Sequence, residues 1–344
     1  MAAGQPTARG FSARDVIAGV SVALLLIPQS MAYAELAGLP PHVGLYAAGL
    51  PPIAAAFSAS SPYLQTGPVA LTALLTLGAL LPLATTGTPE YVALAVLLAL
   101  VVGVTRVLVG LLRAGGVAYL MSQPVLMGFT SGAGLLILSS QLPGALGASG
   151  VPSDTGVLQS AAWAFANPGS WELASLVLAA GTVAVILGSR RIHPLVPGVL
   201  IATGAGLAWS IATGYGGPTV GEVPRGFPTP SLDLPWRSLP ALLVPGIVIA
   251  LVGFAEAASI ARTFAAQDRE PWDPNREFIG QGLANITGAF FMNFASSGSF
   301  VRTALCFQSG ARSRAAAVFS ALFIAGTILA LAPLANYIPM ASLA

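Results

Sequence analysis

The chain is poor in charge, has a single cysteine and has no lysine. Of its 344 residues only 8% are Asp, Glu, Lys or Arg, while 55% are hydrophobic. A soluble domain of this size needs a charged surface, so the imbalance excludes one. A lone cysteine, Cys306, excludes an intramolecular disulfide and any cysteine-based metal cluster. All 14 basic residues are arginine, a choice that carries no functional reading. No apolar segment holds the paired aspartates that a magnesium-dependent intramembrane enzyme acting on phosphorylated substrates would need. Arg9 and Arg14 precede the first apolar run, but no short apolar core with a small-residue cleavage site follows. That run therefore reads as a retained helix and not as a signal peptide.

What is present is one apolar run after another, with a mean hydropathy of +0.81. Crossing about 30 Å of hydrocarbon takes about 20 helical residues. Runs near that length are expected at 15–37, 90–112, 122–141, 171–189, 195–213, 240–265 and 315–334, and shorter ones at 44–58, 67–82, 277–292 and 299–310. With the N-terminus inside, Arg9, Arg14, Arg106, Arg113, Arg190, Arg191, Arg262, Arg269, Arg276, Arg312 and Arg314 gather on one side. Only Arg225 and Arg237 fall on the other. Such a bias predicts a multi-pass protein with a cytoplasmic N-terminus. It places the loops at 142–170 and 214–239 on the extracytoplasmic side.

Two stretches echo two others. Gly19-Val-Ser-Val-Ala-Leu, running on to Pro28 and Gln29, resembles Gly246-Ile-Val-Ile-Ala-Leu, running on to Glu256, at an offset of 227. Gly67-Pro-Val-Ala-Leu-Thr-Ala-Leu resembles Gly298-Ser-Phe-Val-Arg-Thr-Ala-Leu at an offset of 231. A near-constant offset marks a duplicated unit. Seven intervening segments would invert the second copy in the membrane, the build of many secondary transporters. Both echoes read as places where a membrane helix is broken.

The breaks have an electrostatic consequence. Ser61-Pro-Tyr-Leu-Gln-Thr-Gly-Pro68 is too irregular for helix and leads into a short apolar segment; Phe294 to Gly298 does the same for the segment at 299–310. Pro68 reads as a helix start, because its missing N–H would be unpaired there anyway. Extended backbone at membrane depth survives only under protein or in a water-filled cavity, so both half-helices are expected to begin buried near the midplane. Two facing helix N-termini offer unpaired N–H groups and partial positive charge, a setting for an anion. Arg302 falls in the first turn of the second half-helix. At that depth it needs a cavity or a partner; anion binding is one explanation, and pairing with a backbone carbonyl or with Glu256 is the other.

Gln29 and Glu256 each follow their repeat glycine by ten residues, which puts them at one depth. A buried Glu256 reads as a proton or sodium site or a substrate contact, against the plainer reading of a helix–helix hydrogen bond. Glu35 reads as an interfacial carboxylate because Gly38-Leu39-Pro40-Pro41 ends its helix. Tyr33 shares a face with Gln29 and is placed to wall a pocket. His42 and His193 read as solvated loop residues.

These same residues carry a family resemblance. Ile27-Pro28-Gln29-Ser30-Met31-Ala32-Tyr33-Ala34, Gly44-Leu45-Tyr46 and Thr66-Gly67-Pro68-Val69-Ala70 resemble the opening helices of the SulP anion transporters, or solute carrier family 26. Glu256 to Ala265, Gln281-Gly-Leu-Ala-Asn285, Gly298-Ser-Phe-Val-Arg-Thr-Ala304 and Ser309-Gly-Ala-Arg-Ser313 are similar to its later helices, in order. The resemblance implies an all-α polytopic membrane protein with a seven-plus-seven inverted repeat. It places a first core half at 1–113 (helices 1 to 4), a first gate half at 114–215 (helices 5 to 7), a second core half at 216–334 (helices 8 to 11) and the start of gate helix 12 at 335–344. Against that pattern helices 13 and 14 and a cytoplasmic STAS domain do not appear, so the sequence reads as part of a longer polypeptide. The family's substrate site falls on Gln29, Tyr33, Gly67, Val69, Glu256, Gly298, Ser299, Phe300, Val301 and Arg302. Val301 stands where many members have serine, and Cys306-Phe307 where many have asparagine and an aromatic.

The expected function is secondary transport of a small anion across a bacterial inner membrane by an elevator movement, with no enzyme activity. Val301, beside aromatics and aliphatics, leans toward a carboxylate or dicarboxylate over sulfate, bicarbonate or chloride. Proton coupling through Glu256 or Glu35 is expected, with sodium the competing ion and no cofactor or metal. Partners are the anion and the bilayer, not nucleic acid, with a homodimer as one assembly. A nucleobase carrier of the same architecture is the alternative within transport, and Arg302 argues against it. A non-transporting anion sensor is the alternative outside it.

Overall fold

The computed structural model describes residues 12–119, 123–152, 156–192, 198–217, 219–221, 223–269 and 271–343. It is built of helices α1 (Ala13–Leu36), α2 (Pro41–Gly49) and α3 (Pro51–Ser58), a short strand β1 (Thr66–Gly67), then α4 (Ala70–Leu80), α5 (Pro89–Leu111), α6 (Gln123–Leu146), α7 (Val157–Ala166), α8 (Leu173–Ile192), α9 (Gly198–Thr213), α10 (Leu239–Asp268) and α11 (Pro274–Ala289). A second strand, β2 (Ser297–Gly298), leads into α12 (Phe300–Gln308), and α13 (Ala315–Ala335) follows. Among the described residues α1, α5 and the stretch Trp236–Asp268 that contains α10 are long and apolar enough to cross a membrane. Leu135 of α6, Leu173 and Leu187 of α8, Val244 of α10 and Leu329 of α13 are each more than half exposed. Outward leucine and valine on that scale form a lipid-facing belt.

Helix ends follow the sequence chemistry. Ser12 caps α1 and Asp15 returns the bond as a capping box; Thr88 caps α5 ahead of Pro89; Asp273 caps α11. Asp15, fully buried, also accepts from the Arg312 and Ser313 amides at 2.7 and 3.0 Å. It thereby ties the start of α1 to the turn before α13.

Several expectations are corrected. The first echo does not break a helix: α1 runs unbroken through Pro28 and α10 through Gly246, because a proline in a membrane helix is tolerated where neighbours cover the freed carbonyl. Pro68 lies before the N-cap Val69 and outside the first turn of α4. The 44–58 run divides into α2 and α3, where Pro51 opens a new helix. The region 142–170 is not all loop, since α6 extends to Leu146 and α7 follows. Arg106 is no loop charge; it lies fully buried on α5. His42 sits half-buried in the first turn of α2, its ring 5.7 Å from that of Tyr46, and His193 lies outside the described residues. After α13 the chain turns, and Met340–Ser342 forms one 3-10 turn.

The glycines of the first echo do the same work in both copies. A Cβ on Gly19 would lie 2.5 Å from the Ala316 carbonyl of α13, and one on Gly246 would lie 3.0 Å from Val101 Cβ of α5. Gly19 lets α1 approach the backbone of α13, and Gly246 makes room on α10 for the Val101 side chain of α5; both give the close helix contact usual in membrane interfaces. By the repeat, α1 matches α10 and α5 matches α13. Each copy's first helix therefore packs on the other copy's fourth, and the two copies interlock.

Candidate functional site

The crossing of the two copies is the strand pair. Thr66 lies opposite Gly298 and Gly67 opposite Ser297, antiparallel. Shifting the first pair by the 231-residue offset gives the second pair, so the register itself obeys the repeat. Ser299 N adds a bond to the Gln65 carbonyl at 3.1 Å. Each extended segment thus satisfies the other's peptide groups, which in hydrocarbon would cost several kcal/mol if left unpaired.

Buried side chains complete the pairing. Asn285 of α11 accepts from Ser296 N at 2.9 Å and donates to Ser296 O at 3.1 Å, standing in for a third strand. Gln281 donates to Thr66 Oγ1 at 2.7 Å, Ser297 Oγ to the Gly253 carbonyl at 2.8 Å, and Gln65 N to Thr303 Oγ1 at 3.1 Å. One turn away from Gln281, Glu277 is fully buried and its Oε2 accepts from the Ser60 and Ser61 amides and from Trp272. Gln281 and Asn285 enter the sequence pattern only through the family resemblance, and Glu277 does not enter it. Their signal was present: polar residues at helical spacing in an otherwise apolar segment.

From this platform α4 and α12 start. Ser299 caps α12 by accepting from Arg302 N at 3.5 Å, whereas Val69 at the N-cap of α4 provides no side-chain acceptor. The first amides of α4 therefore lack an intrahelical partner. Arg302 is fully buried, and its Nη1 donates to the Pro68 carbonyl at 2.8 Å. Its Nε and Nη2 have no partner. The carbonyl pairing expected of a structural arginine and the free donors expected of an anion site coexist in one side chain. Gly67 lies beside the unpaired donor: a Cβ there would stand in ordinary contact with Arg302 Nη2, at 3.4 Å.

Tyr33, Glu256 and Arg302 are close enough to be coupled electrostatically, each of the first two with Arg302 and with one another. Glu256 Oε2 and Gln29 Oε1 are buried without hydrogen-bond partners. Gln29 and Tyr33, on one face of α1 as the spacing predicts, line a cavity of about 650 Å³ that faces α6 and α8. Phe300 and Val301, both 55% exposed, form an open apolar rim on α12. Glu35 lies one residue before the end of α1 and is half-buried; its Oε1 lacks a partner, and it lines a cavity of about 200 Å³ with Leu77, Ser140 and Gln141. Gln141 and Leu36 border both cavities. Among the described residues no cluster of His, Cys, Asp or Glu is arranged to hold a metal ion.

Interlocked repeats, opposed half-helices and a buried arginine define a helical membrane transporter fold. A sequence model of the sulfate permease family matches residues 13–344, and the chain belongs to that family. It is 36% identical over 338 residues to "Sulfate transporter 4.1, chloroplastic" of Arabidopsis thaliana, covering 96% of this chain and 49% of that protein. It is also 36% identical over 307 residues to a probable sulfate transporter of Mycobacterium tuberculosis, covering 87% and 54%. The chain spans about half the length of these relatives. Among solved structures it is similar to SLC26A9, with a TM-score of 0.89 and 25% identity over 96% of this chain and 56% of that one. The transmembrane domain of the cyanobacterial bicarbonate transporter BicA gives a TM-score of 0.86 and 26% identity, covering 96% and 86%.

Proposed function

We propose that the chain forms the membrane part of a secondary transporter of small oxyanions in a bacterial inner membrane, with its N-terminus in the cytoplasm. The observation that carries this reading is Arg302: a guanidinium with no exposure and two unpaired donors, beside the uncapped start of α4. A buried cation of that kind is costly until an anion meets it. Relatives named for sulfate and bicarbonate support the oxyanion class. The exposed rim of Phe300 and Val301 suits a substrate with a short carbon body, so a carboxylate or dicarboxylate is favoured within that class.

Glu256 carries the coupling proton in this reading and Glu35 is the second carboxylate on the path. The core, helices α1 to α5 and α10 to α13, moves as an elevator against a gate containing α6 to α9. The test is uptake of radiolabelled sulfate, bicarbonate and succinate into proteoliposomes, with and without a pH gradient. Arg302→Ala is expected to abolish uptake while the protein stays folded in detergent. Arg302→Lys restores part of it, keeping charge and losing the planar fork. Wild-type uptake by Arg302→Ala would remove the arginine from the site, and sodium dependence without proton dependence would replace the coupling ion.

A further inference from the structure

Arg106 is a second fully buried guanidinium, and the site described above does not use it. Its Nε donates to the Ala250 carbonyl of α10 at 3.2 Å and its Nη1 to the Ser296 carbonyl at 2.7 Å, while Nη2 has no partner. Both acceptors are neutral, and no carboxylate among the described residues bonds to it. Burying an unpaired cation costs several kcal/mol, more than two bonds to carbonyls return. A neutral amide would hold the same segment at less cost, as Asn285 does for the same Ser296. What an amide cannot supply is the charge.

The charge lies next to both half-helix starts. Ser296 stands two residues before Gly298, in the segment that enters α12. On the other side, the place a Cβ on Gly253 would occupy is 2.7 Å from Arg106 Nη2 and 3.2 Å from Thr72 Cγ2, in the first turn of α4. We propose that Arg106 is the second cation of the anion site, acting on the bound ion through its field without touching it and thereby setting the preference for divalent over monovalent anions. This rests on the anion-site reading above. For a separation of roughly 10 Å and an effective dielectric near 20, Coulomb's law gives about a tenfold change in affinity per unit charge on the ligand. The factor is squared for a divalent ion, a signature that loss of positioning does not produce.

The experiment measures sulfate and bicarbonate binding to purified wild type, Arg106→Lys and Arg106→Gln. Arg106→Gln is expected to weaken bicarbonate about tenfold and sulfate about a hundredfold, while Arg106→Lys keeps the sulfate-to-bicarbonate ratio near that of wild type. Equal losses for the two ions, or none, overturn the proposal. Should Arg106→Gln fail to fold, Arg106→Met removes the charge while keeping an unbranched side chain of similar length. It is expected to shift the ratio in the same direction, and an unchanged ratio overturns the proposal as well. Arg302→Ala separates the two readings. If wild type binds neither ion, or Arg302→Ala binds both normally, the anion site falls and this inference with it. If binding depends on Arg302 while the ratio ignores Arg106, this inference alone falls.

Discussion

Two carboxylates, Glu35 on α1 and Glu256 on α10, differ in their surroundings. Glu256 lies within electrostatic reach of Arg302, so an arriving anion changes its surroundings directly. Glu35 lines a smaller cavity, and no electrostatic coupling ties it to Arg302. The Glu256→Gln variant, an imitation of the protonated acid, is expected to lose accumulation driven by a pH gradient while it keeps substrate exchange. Glu35→Gln is expected to keep accumulation. If the gradient still drives uptake in Glu256→Gln and fails in Glu35→Gln, the assignment reverses. At this scale the sequence pointed to Gln29, Tyr33, Glu256 and Arg302 because polar groups inside apolar runs stand out. Arg106 was missed because a charge near the end of a run looks the same whether its helix end is wet or enclosed by α10 and β2.

The half-helices differ in a way that the repeat hides. Ser299 closes one donor at the start of α12, and Val69 closes none at the start of α4. Placing a carboxylate at that N-cap would satisfy those amides internally. Val69→Asp is therefore expected to eliminate anion binding, since the new side chain occupies the donors and opposes the ligand's charge, and to lower stability, because burying a carboxylate where Val69 is 6% exposed costs more than a cap returns. Thermal unfolding and isothermal titration of one sample check both halves. Retained binding would show that the α4 amides do not serve the anion. Short extended lead-ins were legible from Gly, Pro and Ser ahead of apolar segments; their pairing register was not, because two-residue strands carry no periodicity of their own.

Across the whole molecule, the copies are held together by exchange: α1 on α13, α10 on α5, and β1 on β2. Such interlocking brings Ala70 and Val301, repeat equivalents at an offset of 231, to the two sides of one crossing. In a Cys306→Ala background, cysteines at these two positions are expected to react with thiol reagents more slowly when substrate saturates the site. Labelling of both that ignores substrate would count against a shared pocket. The positive-inside bias survives the loss of Arg106 from its count, since the remaining inward arginines still outnumber Arg225 and Arg237.

By itself the sequence determined that this is a membrane protein, that it is duplicated, and that two of its helices start inside the bilayer. Those facts rest on composition, spacing and the absolute need to pair backbone groups in hydrocarbon, all of which are local or additive along the chain. Only the tertiary structure decided which partners do the pairing. The self-consistent register of β1 and β2, the Asn285 bridge, the Pro68 carbonyl on Arg302 and the enclosure of Arg106 each join residues far apart in sequence. Each depends on how the helices pack in three dimensions, which no local or additive property of the chain encodes.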